Sequence, residues 1–193
     1  MTLFISHLGV NTINKGKLLY EKLNVGKEFY VRFKFMPTKF KDDVEWYNIL
    51  HFTTNKQTTW RDSGGPGTRI PSIYIKRPNL LSVASEISGN YNKVFTLDMC
   101  PINKWTDVRV EQVLRDAIYL FRIFINGKRL AEIENNAPAV YPEVKLYVGN
   151  PWIPPQEGYI KDLDFSAIGN NIYTIIVYST SDSFTRSYSY GFC

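Results

Sequence analysis

"EFYVRFKFM", residues 28–36, decides the fold class of this 193-residue chain. Phe29, Val31, Phe33 and Phe35 alternate with Tyr30, Arg32 and Lys34. An extended chain turns successive side chains to opposite faces, so this pattern builds one face for a core and one for water. Similar short runs follow at residues 46–53 (WYNILHFT), 69–76 (RIPSIYIK), 80–87 (LLSVASEI), 93–99 (KVFTLDM), 106–113 (TDVRVEQV) and 118–125 (IYLFRIFI). Four more occupy 128–134 (KRLAEIE), 143–149 (EVKLYVG), 158–165 (GYIKDLDF) and 171–179 (NIYTIIVYS). Nearly all are bounded by Gly, Pro, Asn or Asp, the residues that shape turns. That many strands without a long helical pattern predict an all-β sandwich or barrel.

The strongest local signal lies in "IFINGKRLAEI", residues 123–133, where Asn126 and Gly127 can both take positive φ in a two-residue hairpin turn. Phe124 and Leu130 are expected on the paired strands. Within residues 110–118 a helix competes, but the alternating Val108 and Val110 favour strand. The tail, residues 178–193, reads as a final strand on its alternating Tyr188 and Tyr190, with a mobile arm as the alternative.

A hydrophobic content of 44% and an aromatic content of 15% suffice for a core without disulfides or metal. No linker, repeat or low-complexity run divides the chain, and residues 1–193 read as one domain. The net charge of +5 is dispersed over single residues and the pairs Lys76–Arg77 and Lys128–Arg129. Dispersal of this kind describes solvated strand faces rather than a nucleic-acid patch. Cys100 and Cys193 permit a single disulfide pinning the tail in an oxidising compartment; two thiols are the alternative, and the sequence leaves both open. The opening "MTLFISHLGV" has no basic start and too short an apolar run for a signal, and no stretch reaches transmembrane length. The chain therefore reads as cytoplasmic, or as a mature extracellular or cell-surface chain. No Asn lies in a glycosylation sequon.

From "PINKWTDVRVEQ" through "YLFRIFINGKRLAEI" to "YPEVKLYVGNPWIPPQEGYIKDLDF", residues 101–165, the order of features resembles the laminin-G and concanavalin A-like lectin/glucanase superfamily. The shared order is a Trp, an alternating strand, an Asn-Gly hairpin, a strand ending near Gly, and a Gly before the closing strand. "VGKEFYVRFKF" and "WYNILHFT" resemble the earlier strands of the same sandwich. The resemblance implies a two-sheet antiparallel jelly-roll sandwich whose termini lie close together, which suits a tether at Cys193. The first half is also similar to galectins, with His51 and Trp60 matching. His51 is however followed by Phe-Thr-Thr-Asn-Lys instead of Asn-Pro-Arg, and no Trp-x-x-Glu-x-Arg begins at Trp60, so galactoside chemistry is not implied.

Glycosidic hydrolysis needs two carboxyl groups about 5–9.5 Å apart flanking the bond. The glucanases of the superfamily carry a Glu-x-Asp-x-Glu-like cluster on one strand. Here only Asp162 and Asp164 offer a same-face pair, and their alternative is solvent beside Lys161. No Gly-x-Ser-x-Gly elbow occurs, Cys100 has no recognisable arrangement with His7 or His51, and no spacing supports zinc. Gly64-Gly65-Pro66-Gly67 lacks the Lys-Ser or Lys-Thr of a phosphate loop. No cofactor or metal is expected; calcium at Asp42, Asp43 or Asp62 is the alternative.

Ligand chemistry concentrates in two loops. "TTWRDSGGPGTRIP", residues 58–71, holds Trp60, Arg61, Asp62 and Arg69, an aromatic face with planar donors and an acceptor, and its glycines and prolines would turn Arg69 back beside Trp60. The alternative has Trp60 capping the core and Arg69 paired with Asp62. "GNPWIPPQEG", residues 149–158, stiffens Trp152 between prolines, as a ligand contact or as a packing plug. Trp46 and Trp105 read as core or rim. The expectation is a non-catalytic extracellular binding module, lectin-like, with a carbohydrate or extracellular protein as partner. A self-associating structural domain forming homo-oligomers and a glycan hydrolase or lyase are the alternatives.

Overall fold

Fifteen strands and no helix make up the described residues, 2–7, 9–54, 65–168, 173–178 and 186–190, of the computed structural model. In chain order they are β1 (Thr2–His7), β2 (Asn11–Thr12), β3 (Leu18–Val25), β4 (Glu28–Pro37), β5 (Trp46–Thr53), β6 (Ser72–Lys76), β7 (Leu80–Ile87) and β8 (Asn90–Met99). The remainder are β9 (Thr106–Arg115), β10 (Ile118–Ile125), β11 (Lys128–Glu134), β12 (Tyr141–Tyr147), β13 (Gly158–Ile168), β14 (Tyr173–Tyr178) and β15 (Arg186–Tyr190). A nine-stranded sheet runs β11-β10-β9-β4-β13-β1-β14-β15 with β2 on β13, and a six-stranded sheet runs β3-β12-β5-β6-β7-β8. The two pack as a jelly-roll sandwich. All pairings are antiparallel except β1 with β14, whose parallel register sets Thr2 opposite Tyr173 and brings both terminal segments together.

The alternation in β4 is the heart of the larger sheet. Val31, Phe33 and Phe35 are fully buried and Phe29 nearly so, each stabilised by about 2–3 kcal/mol relative to an exposed side chain. They meet Phe52, Phe121 and Phe165, with Phe29 edge-on to Phe121 at 6.4 Å and Phe52 5.0 Å from Phe165. The outer face of that sheet carries ion pairs. Arg32 grips Asp107 through Nε and a terminal nitrogen at 2.7–3.1 Å, Lys34 meets Asp162 at 2.9 Å, and Arg122 and Arg129 share Glu132.

The hairpin at Asn126 and Gly127 forms as read, with φ of 50° and 80° and with Phe124 and Leu130 on its two strands. Residues 110–115 are strand, turned at Asp116 and Ala117, which both have positive φ. Tyr188 and Tyr190 belong to the last strand. The sequence reading missed β1, β2 and β3. In β3 only Leu23 and Val25 are buried, and its pairing with β12 shifts register repeatedly, so no period of two marks it.

Candidate functional site

β5 breaks the rule that made β4 legible. Every residue from Tyr47 to Thr53 is buried, so both faces of this strand are covered. The register with β6 slips between Asn48 and Leu50. A bulge adds one residue to one strand and resets which side chains point where. Tyr47, Ile49, Leu50 and Phe52 consequently all enter the core, whereas Asn48 and His51 meet on the outer face at Ser72.

What covers that outer face is the segment after β12. It is tied along β5 by three backbone hydrogen bonds: Asn48 N–H to the Pro154 carbonyl at 2.9 Å, Gln156 N–H to the Asn48 carbonyl at 2.9 Å, and Gly149 N–H to the Ile49 carbonyl at 3.0 Å. Gly149 is required there. Its φ is +84°, and a Cβ would run into the Asn14 carbonyl.

Inside the segment, fully buried Asn150 organises the turn. Its Oδ1 accepts from the Trp152 N–H at 3.1 Å and the Ile153 N–H at 2.8 Å, and its own N–H is taken by Asn48 Oδ1 at 2.8 Å. Two backbone donors on Oδ1 fix the orientation of the amide, so Nδ2 is the atom that faces His51 Nδ1 at 3.2 Å. An amide nitrogen can only donate; His51 Nδ1 is therefore an acceptor and the proton sits on Nε2. The Ser72 hydroxyl donates to the same Nδ1 at 2.6 Å. Burial, with the Arg69 guanidinium as a second cause, pushes the imidazole pKa down to about 3. His51 is thus neutral at ordinary pH. Both it and Ser72 have no exposed surface, so the Ser–His contact is not an accessible nucleophile and base.

Trp152 leans on this cluster, 5.7 Å from the His51 ring and edge-on to Tyr147 at 5.9 Å. Beside it opens a concavity of about 760 Å³ on the outer face of the six-stranded sheet. Trp46, Tyr74 and Trp152 supply aromatic surface, Glu45, Arg69 and Asn92 supply polar groups, and Val94 on β8 lies at the far side. Trp46 is held edge-on to Tyr74 at 6.0 Å, with Lys76 Nζ 5.2 Å from its ring centre and ion-paired to Glu45 at 3.6 Å. Arg69 is brought to the groove by a locked approach: the Gly67 N–H donates to Glu86 at 2.8 Å, the Thr68 hydroxyl to the Gly65 carbonyl at 3.0 Å, and the Arg69 carbonyl accepts from the Glu86 N–H at 3.0 Å.

Of the residues singled out from sequence, Arg69 and Trp152 come together in this groove. Trp60, Arg61 and Asp62 lie outside the described residues, as does Cys193. Trp46 is rim, as one of its two readings had it, and Trp105 packs on the larger sheet under Lys161 Nζ at 4.3 Å. Tyr74 was missed. Its signal was present, since an aromatic between Ile73 and Ile75 must face away from the core those two enter. Asp162 and Asp164 stand on the larger sheet, across the sandwich from the groove. The strand bulges between Lys161 and Asp164, Asp162 takes a φ of 51° and pairs with Lys34, and Leu163 turns into the core. Asp43 accepts from the Tyr47 hydroxyl, and the Asp42 carbonyl accepts from Arg77 at 3.0 Å. Cys100 is buried next to a second, smaller cavity, and burial pushes its thiol pKa up to about 12.

No family model matches the sequence, and no curated protein matches it. Solved structures do match in shape. Domain 4 of AbnA, a GH43 extracellular arabinanase from Geobacillus stearothermophilus, in complex with arabinotriose, is similar with a TM-score of 0.51 at 13% identity, over 86% of this chain and 82% of that one. Alginate lyase AlyC3 is similar with a TM-score of 0.52 at 12% identity, over 82% and 75%. The CBM40 of Ruminococcus gnavus IT-sialidase, bound to alpha2,6 sialyllactose, is similar with a TM-score of 0.50 at 10% identity, over 85% and 95%. The fold is a jelly-roll β-sandwich. Two of these neighbours are domains with a bound saccharide and one is a lyase, and at such identities they share the fold with this chain and nothing finer.

Proposed function

We propose that this protein is a non-catalytic carbohydrate-binding module, working outside the cell, that holds a saccharide in the groove on its six-stranded sheet. The observation that carries the reading is the composition of that groove: aromatic faces of Trp46 and Trp152 over a Tyr74 floor, with Arg69, Glu45 and Asn92 among them. Sugars present apolar C–H faces and a rim of hydroxyls, and a concave site of aromatic surface with a few convergent polar groups suits both. Among the described lining residues Glu45 is the one carboxylate, and it is engaged with Lys76. Among the described residues no pair of carboxyl groups flanking a scissile bond is assembled there, which supports binding over hydrolysis. The arabinotriose and sialyllactose bound by two of the neighbours lend the reading support through the shared fold.

The test is a broad glycan array, followed by tryptophan-fluorescence titration with its strongest saccharides and with arabinotriose and sialyllactose. Saturable quenching that is weakened at least fivefold in Trp152→Ala is the expected result. A silent array and no quenching by any saccharide would defeat the proposal.

A further inference from the structure

We infer that Asn150 and His51 are positioning residues of the groove, a buried polar pair whose work is to hold Trp152 in its ligand-facing pose before any ligand arrives. The inference rests on the carbohydrate-binding reading for its purpose but on hydrogen bonds alone for its mechanism. Trp152 sits in a turn whose two leading N–H groups end on one atom, Asn150 Oδ1. Among the described residues no other hydrogen bond grips the Trp152 backbone, so orientation of the indole depends on where that oxygen is. The oxygen is located by the other end of the same amide, which is spent on His51 Nδ1, and by the Asn150 N–H, which is spent on Asn48 Oδ1. Asn48 is itself anchored to the Ile73 carbonyl and Ser72 of β6 at 3.3 Å each. The loop is thereby referenced to two strands of the sheet that floors the groove.

His51 does two things in this arrangement. Its Nδ1 takes the Asn150 amide, and its ring gives Trp152 a surface to lie against. A buried polar cluster is costly unless its members find partners; Asn48, Ser72, Asn150 and His51 Nδ1 have theirs, whereas His51 Nε2 is buried without one among the described residues. Three of the four members, Asn48, Ser72 and Asn150, are too small to fill the layer with apolar mass, so packing alone does not account for them. A stiff aromatic wall reduces the ordering cost when ligand binds. That gives the cluster a consequence at the groove that a merely stabilising core group would lack.

The readout is the 19F NMR spectrum of full-length protein labelled with 5-fluorotryptophan, with the Trp152 resonance assigned from Trp152→Phe. In Asn150→Ala the Trp152 resonance is expected to move towards the shift of free fluorotryptophan while the Trp105 resonance stays in place. The same variant is expected to bind the saccharides of the panel above at least fivefold more weakly. His51→Asn, which keeps an acceptor near the position of Nδ1 and removes the ring, should leave an intermediate shift, and His51→Ala the full one. An unmoved Trp152 resonance in Asn150→Ala overturns the inference, and so does a moved resonance with unchanged affinity. If the wild type binds no saccharide, the carbohydrate reading falls, and the fluorine shift still decides whether the pair positions Trp152.

Discussion

Trp152 lies 5.7 Å from a histidine, His51, that is wholly buried and neutral. A neutral imidazole in that place makes the protein sensitive to acid. The ordinary histidine pKa is 6.5 and the folded one about 3, so between those values the unfolded chain takes up a proton that the folded one refuses. Stability is fully present above pH 6.5 and falls as pH drops towards 3, at about 1.4 kcal/mol per unit from this group. His7 is lowered too, by partial burial and by Lys17, and adds a slope of the same sign. Urea unfolding at pH 7.5, 6 and 5 should show the midpoint falling, and His51→Asn should remove most of the slope. A midpoint flat over this range contradicts the buried, neutral imidazole.

Gly149 and Gly127 share a positive φ and differ in surroundings. At Gly127 a Cβ would meet nothing, whereas at Gly149 it would strike the Asn14 carbonyl. Gly127→Ala should therefore cost about 1–2 kcal/mol, the conformational penalty alone. Gly149→Ala should cost about 3 kcal/mol or more, because strain and displacement of the covering loop are added. Equal losses in chemical denaturation would show that the close approach at Asn14 does not constrain the fold.

Cys100 is buried, and its thiol when unpaired is held in the protonated form, with a pKa pushed up to about 12 by burial. Since the thiolate is the reacting species, a Cys193→Ser variant should be almost inert to a disulfide reagent when native and react with one equivalent in denaturant. Fast native labelling would contradict the burial. The unsubstituted chain separates the two redox alternatives: two thiols titrate in denaturant if the cysteines are unpaired, and none if they are bridged.

The Lys34–Asp162 pair on the outer face of the larger sheet is exposed at both side chains, 41% and 40%, and exposed pairs contribute little. Lys34→Ala, which frees Asp162, should change stability by less than about 1 kcal/mol. Asp162→Asn with Asp164→Asn should leave saccharide affinity unchanged, because both carboxyl groups lie across the sandwich from the groove. A loss of binding in that double variant would place the ligand on the wrong sheet.

How much of this was legible in the sequence follows from how each strand is buried. β4, β9 and β10 have one face in the core and one in water, and their alternation is plain. β5 and β7 are covered on both faces, so they read as strands by composition while giving no sign of which residues face the groove, and β6 gives only one, Tyr74 between Ile73 and Ile75. Arg69 and Trp152 were visible because they stand in loops rich in Gly and Pro. Their meeting was not, since it depends on the bulge in β5 and on a loop folding back across the sheet, and neither leaves a local pattern. The pairing of Asn150 with His51 was illegible for the same reason: His51 stood out only in the galectin likeness, and a lone Asn declares nothing until the chain brings the two to 3.2 Å.

Calorimetric titration of the wild type and of Trp46→Ala with the strongest saccharide from the array tests the groove beside Trp46 most directly. The predicted result is saturable binding at one site in the wild type, weakened about tenfold, or ~1.4 kcal/mol, in the variant. Equal affinity in a folded Trp46→Ala would contradict it.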